Sequence, residues 1–116
     1  IYDMERFKKY MKEVVDRGLD KKVYILAGVT PLKSAKMANI MNKFVAGISI
    51  PDDIVNRIKG VDKEKQAEEG IKICIEQIEE IKQIPGVAGL HLMAIEWEQK
   101  LKEILEAAKL LPRPQV

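Results

Sequence analysis

Few side chains in this sequence belong to types that do covalent or acid–base chemistry unaided. His91 is the only histidine and Cys74 the only cysteine. Neither has a second His, a second Cys or a carboxylate pair beside it. Neither therefore reads as a general base, a nucleophile or a metal ligand. His91 sits in an apolar run and reads as a satisfied core histidine. Cys74 sits in an Ile-rich run and reads as a small buried hydrophobe. Glu96 and Glu98 flank Trp97. The two carboxylates could deliver a proton, but at the start of a helical pattern they read as caps. Trp97 itself suits two roles, packing over a planar ligand or stapling onto Leu101. Lys33, near Thr30 and Ser34, could hold an anion at a helix start, although capping with a solvated lysine explains the same residues. Met37, Met41 and Met93 fall at core-like spacings, which alone assign them to packing.

The elements that must position these residues centre on Gly28-Val29-Thr30-Pro31-Leu32-Lys33-Ser34. Before it, Lys22 to Ala27 is a short apolar run that predicts a strand covered on both faces. After it, Leu32, Met37, Ile40, Met41, Phe44 and Val45 recur on one side of a helix spanning about 31–46. Thr30 is the expected cap and Pro31 the expected first turn. A strand entering a helix through such a turn is the unit of parallel α/β proteins. Their ligands bind beyond the carboxyl ends of the strands.

An earlier helix is expected from Asp3, its N-cap, to Gly18, its left-handed stop, with Met4, Phe7, Met11, Val14 and Val15 on one face. Past Gly47, Pro51-Asp52-Asp53 starts a short helix that Gly60 ends. Asp62 then caps a longer helix with an Ile71, Cys74, Ile75, Ile78, Ile81 stripe. Gly70 inside that helix costs about 1 kcal/mol relative to Ala, and Pro85-Gly86 stops it. Val87 to Met93 predicts a second buried strand. A last helix buries Leu101, Ile104, Leu105 and Ala108, and Pro112-Arg113-Pro114 reads as a tail.

Composition narrows the class. A chain of 116 residues, 47% hydrophobic and 33% charged, is one domain of ordinary globular make-up. The net charge of +2, with Lys and Glu interspersed, leaves no nucleic-acid footprint. No apolar run spans a bilayer, and charges break any signal-peptide core at the start. The lone cysteine suits a reducing, cytoplasmic setting. Two buried parallel strands need neighbours. The expected fold is therefore the closing part of a (β/α)8 TIM barrel, with a doubly wound open sheet as the alternative. Ile1-Tyr2 reads as the tail of a strand, and with no initiating Met the chain is expected to be a fragment of a longer polypeptide. On that reading Tyr24, Ile25, Leu90 and Leu92 lack neighbours and favour self-association.

Four stretches carry a resemblance. They are Gly28 to Lys36, Ala46-Gly47-Ile48-Ser49-Ile50-Pro51, Gly86 to Met93, and Leu110-Leu111-Pro112-Arg113-Pro114. In this order and spacing they are similar to the closing third of methylenetetrahydrofolate reductases, and Tyr2-Asp3-x-Glu5 resembles the segment after that family's sixth strand. The resemblance implies an FAD-dependent barrel that reduces 5,10-methylenetetrahydrofolate to 5-methyltetrahydrofolate, within one-carbon and methionine metabolism. It makes folate the substrate. It places the FAD ligands and the acid–base glutamate on earlier strands, so the fragment alone is expected to be inactive and to bind no flavin. Within this chain it assigns Met41 to the position of the aromatic that covers substrate or nicotinamide. It puts Met37 at a polar substrate contact, and Ile95 and Trp97 at the positions that close over the ligand. Thr30 lies on the same face. Met in place of the aromatic implies an electron donor other than nicotinamide, such as a partner subunit. A non-catalytic binding or interaction module, for folate or a methyl-transfer partner, is the alternative function.

Overall fold

The computed structural model describes residues 1–111; the expected proline tail lies outside them. The described residues form two parallel strands and five α-helices: α1 (Met4–Asp16), β1 (Ile25–Val29), α2 (Ala35–Phe44), α3 (Asp52–Lys59), α4 (Gln66–Lys82), β2 (Val87–Leu92) and α5 (Leu101–Ala107). No helix among the described residues is long and apolar enough to cross a membrane.

Local signals set the first helix. The Asp3 carboxylate accepts from the Arg6 amide at 3.1 Å, and Gly18 leaves the helix at φ 70°. Phe7, Met11 and Val14 are buried against the sheet. Val23, however, donates its amide to the Leu19 carbonyl at 3.1 Å. That bond holds Val23 in a turn, so β1 starts later than the apolar run suggests and extends through Gly28 to Val29. Gly28 lies within the strand and is not its exit.

Alternation along β1 decides what each side chain meets. Ile25, Ala27 and Val29 face a core built with α1, α4 and α5. Tyr24 and Leu26 face the other way and are 90% and 58% exposed. The expectation of two covered faces is thus corrected: helices cover one. In β2, Val87, Leu90 and Leu92 all reach the covered side. An irregularity in the pairing, where Leu26 aligns with Gly89 although Ile25 aligns with Val87, lets Val87 and Leu90 share a face. Of the residues expected to lack neighbours, only Tyr24 is on the bare side. His91 aligns with Gly28 and is exposed, so it is not a satisfied core histidine.

A second core lies beneath α2 and α3, formed by Tyr2, Leu32, Ala35, Ala38, Met41, Ile50, Val55, Ile58 and Ile73. Ile40, Phe44 and Val45, expected to face inward, are exposed. The helix turns Ala35, Ala38 and Met41 inward, against α3. Asn42 exchanges two hydrogen bonds with the backbone of Ile50, at 2.6 and 3.0 Å, and fixes the loop between α2 and α3. Arg57 on α3 pairs with Glu69 and Glu76 on α4. That guanidinium holds the Glu76 carboxyl below its usual range.

Helix α4 serves both cores. Ile71, Cys74, Ile78 and Ile81 enter the first and Ile73 the second. Complete burial of a side chain such as Ile78 contributes about 1.5–3 kcal/mol. Burial also pushes the Cys74 thiol up to about 12, which keeps it protonated and inert. Gly70 is where α4 meets the exit of β1. A Cβ placed on it would stand 1.6 Å from the Leu32 carbonyl oxygen. Gly70→Ala should therefore destabilise the fold by about 2–3 kcal/mol, although alanine favours an isolated helix. Chemical denaturation of the two chains measures this, and an unchanged or raised midpoint would contradict it.

Candidate functional site

The strands are parallel, so the segments leaving β1 and β2 emerge at one end of the sheet. A cleft of about 740 Å³ opens there, lined by Tyr2, Arg6, Thr30, Met41, Ile48 and Met93 among others. Pro31 biases Thr30 toward extended backbone, and the chain does not become helical until Ser34. The Ser34 hydroxyl then accepts from the Met37 amide at 3.1 Å, so Ser34, not Thr30, caps α2. Gln66 on α4 accepts from the Ala35 amide at 3.1 Å. These bonds free Thr30 from capping and leave it buried at the cleft wall.

Tyr2 joins the wall from the far side of β1. Its hydroxyl donates to the Thr30 carbonyl at 3.0 Å and stands 4.0 Å from the Met41 sulfur. Burial pushes the phenol up to about 12, so it remains a neutral donor. The Ile1 nitrogen donates to the Gly28 carbonyl at 2.8 Å along the same edge of β1. Met93, just past β2, donates its amide to the Val29 carbonyl at 2.9 Å. Its methyl would lie 3.2 Å from a Cβ on Gly28. Glycine at that point lets the two strand ends meet over the cleft floor.

The second loop is held to the first by Lys33. Its ammonium donates to the Glu96 carbonyl at 2.7 Å and sits 5.6 Å from the centre of the Trp97 ring. Lys33 is thereby occupied as a structural clamp, not poised as an anion receptor. Glu96 adopts φ 52°, an uncommon left-handed conformation for a non-glycine residue. Neither Glu96 nor Glu98 caps α5, which is entered through a turn at Glu98–Lys100 without a side-chain cap.

Residues 1–109 of the chain match the methylenetetrahydrofolate reductase family. The chain belongs to this family. Full-length members of the reductase family are oxidoreductases. No curated protein matches the chain individually.

The residues that the reductase resemblance singled out fall in different places. Thr30 and Met41 meet in the cleft. Met37 packs at the edge of the second core. Ile95 is 56% exposed on the loop after β2. Trp97 is 8% exposed and belongs to the first core, with Ile104 and Ala108. Tyr2, Arg6 and Ile48 also line the cleft. Tyr2 was legible as part of a strand tail, and its approach to Thr30 depends on the pairing across β1.

The cleft does not suit the pyrophosphate of a flavin dinucleotide. Such a group needs free amides at a helix start or several cations. At α2, the amides of Ala35, Met37 and Ala38 are already used by Gln66 and Ser34. Among the described residues Arg6 is the one cationic side chain lining the cleft. Beside the Asp3 carboxylate and the Thr30 and Ser49 hydroxyls, the wall is thioether, aromatic and aliphatic, and that apolar part suits a planar organic ring. Trp97 is the only tryptophan, so its emission reports on the clamp. Lys33→Ala should shift that emission to longer wavelength and increase its quenching by iodide. Identical spectra would show that Lys33 does not hold the loop.

Proposed function

We propose that this chain is the closing part, over residues 1–116, of a flavin-dependent (β/α)8 barrel that reduces 5,10-methylenetetrahydrofolate to 5-methyltetrahydrofolate. Its cleft forms the substrate-facing wall. The observation that carries this is the convergence of Thr30, Met41 and Met93, from the segments that follow two consecutive parallel strands, on one cleft within the family-matched residues. The bare sheet face of Tyr24, Leu26 and His91 fits a barrel interior, where side chains from further strands fill the space. In isolation the same face favours self-association.

In the complete protein FAD, seated by residues outside this cleft, supplies the hydride. The residues of this chain bind and orient. Met41 and Met93 pack against the pterin ring. Tyr2, neutral and bound to the Thr30 carbonyl, keeps the Thr30 segment extended so that Met41 faces the cleft. Arg6 attracts the carboxylates of the substrate's glutamate. Ile95, on the loop clamped by Lys33, borders the opening, and Trp97 and Met37 support the loop and helix from behind. Water is excluded by the aliphatic walls.

Met41→Ala in the complete, flavin-loaded protein should raise KM for methylenetetrahydrofolate about tenfold, the equivalent of about 1.4 kcal/mol of lost packing. The flavin absorption band should be unchanged. An unaltered KM would contradict the assignment of the wall. Met41 also bears on the electron donor. A thioether packs against a nicotinamide but does not stack on it as an aromatic ring does. We therefore propose electron delivery by a partner subunit or another non-nicotinamide donor. Anaerobic mixing with NADH should bleach the flavin slowly compared with turnover, and rapid bleaching would contradict this.

A further inference from the structure

The outward face of α2 is unusual for a solvated helix. Its inner side buries Ala35, Ala38 and Met41. Its outer side nonetheless carries Ile40 and Phe44, four residues apart and thus one above the other, at 46% and 73% exposure. They lie in a groove of about 650 Å³ between α2, the end of α3 and the start of α4. Lys36, Lys43, Lys59 and Lys63 line the same groove, with no acidic side chain in its wall among the described residues. Among the described residues none of these four lysines forms an ion pair. Lys43 instead lies 5.5 Å from the centre of the Phe44 ring. Elsewhere some lysines pair with glutamates on their own or neighbouring helices, as in Lys8 with Glu80 and Lys82 with Glu79.

We propose that this groove docks a short acidic segment of a partner protein. Apolar side chains of that segment would cover Ile40 and Phe44, and its carboxylates would meet the lysines. Charge complementarity argues for the acid, and two apolar anchors at helical spacing argue for a polypeptide. A nucleic acid is the weaker fit. The cations are all lysines with no arginine fork, and the chain's net charge is only +2, so the positive field is confined to the groove. The groove lies apart from the cleft and shares no residue with it. The proposal therefore stands whether or not the cleft binds folate.

Fluorescence anisotropy tests this on the full chain. The titrants are a labelled acidic peptide with two leucines one helical turn apart, the same peptide with serines for the leucines, and an oligouridylate. The leucine peptide should bind saturably and more tightly than the other two. Lys43→Glu with Lys59→Glu should weaken it about tenfold, and Phe44→Ala about fivefold. Far-UV circular dichroism checks folding, and Lys→Gln variants replace the charge reversals if those misfold. The proposal is overturned if the leucine peptide fails to saturate or if the variants bind it as the parent does. Tighter binding of the oligonucleotide would also overturn it. So would a change in the chain's own sedimentation on charge reversal, which would assign the groove to a second copy.

Discussion

The close approach of α4 to the exit of β1 is the contact on which the rest of the arrangement depends. With no side chain at Gly70, the helix backbone comes against the Leu32 carbonyl. At that distance Ile71, Cys74, Ile78 and Ile81 fill the space under the sheet, and Ile73 reaches the second core. Gln66, one turn earlier, reaches the first amide of α2. One glycine thus sets the spacing of a helix to a strand, and through it the start of the next helix.

That spacing has a consequence at the carboxyl end of the sheet. Leu32 is drawn down into the second core, so Thr30 to Lys33 cross the strand ends in extended form before α2 begins at its Ser34 cap. The extension presents Thr30 to the cleft and places the Met41 side chain beside the Tyr2 hydroxyl. Lys33 then reaches the loop after β2. The sulfur, aromatic and aliphatic part of the wall suits a flat, weakly polar ring. With the Ala35, Met37 and Ala38 amides bonded within the protein, it does not suit a dinucleotide phosphate. Under the proposed function, this wall is the substrate side of a shared site.

Much of the scaffold was legible in the sequence because its causes are local. The Asp3 cap, the Gly18 stop, the acidic first turn of α3 and the isoleucine stripe of α4 each follow from residues within a turn or two of one another. The family resemblance was legible for the same reason, since its motifs are short runs at strand–helix junctions. What was not legible depends on partners distant in the chain. Thr30 is the expected cap from sequence, and the shift of the cap to Ser34 follows from the burial of Leu32. The start of β1 hides in the apolar run Val23-Tyr24 because the Leu19 carbonyl claims the Val23 amide. The inward face of α2 follows Ala35, Ala38 and Met41 and not Ile40 and Phe44, because the helix packs against α3. Tyr2 and Arg6 join the cleft only through the pairing of Ile1 with Gly28.

Methionine methyl groups offer the most direct view of the cleft, because Met41 and Met93 line it and Met11 is fully buried beneath the sheet. With carbon-13 methyl labels in the complete, flavin-loaded protein, added 5-methyltetrahydrofolate should move the Met41 and Met93 resonances by ring-current shifts and leave Met11 in place. Saturating ligand with no movement at Met41 and Met93 would contradict the account.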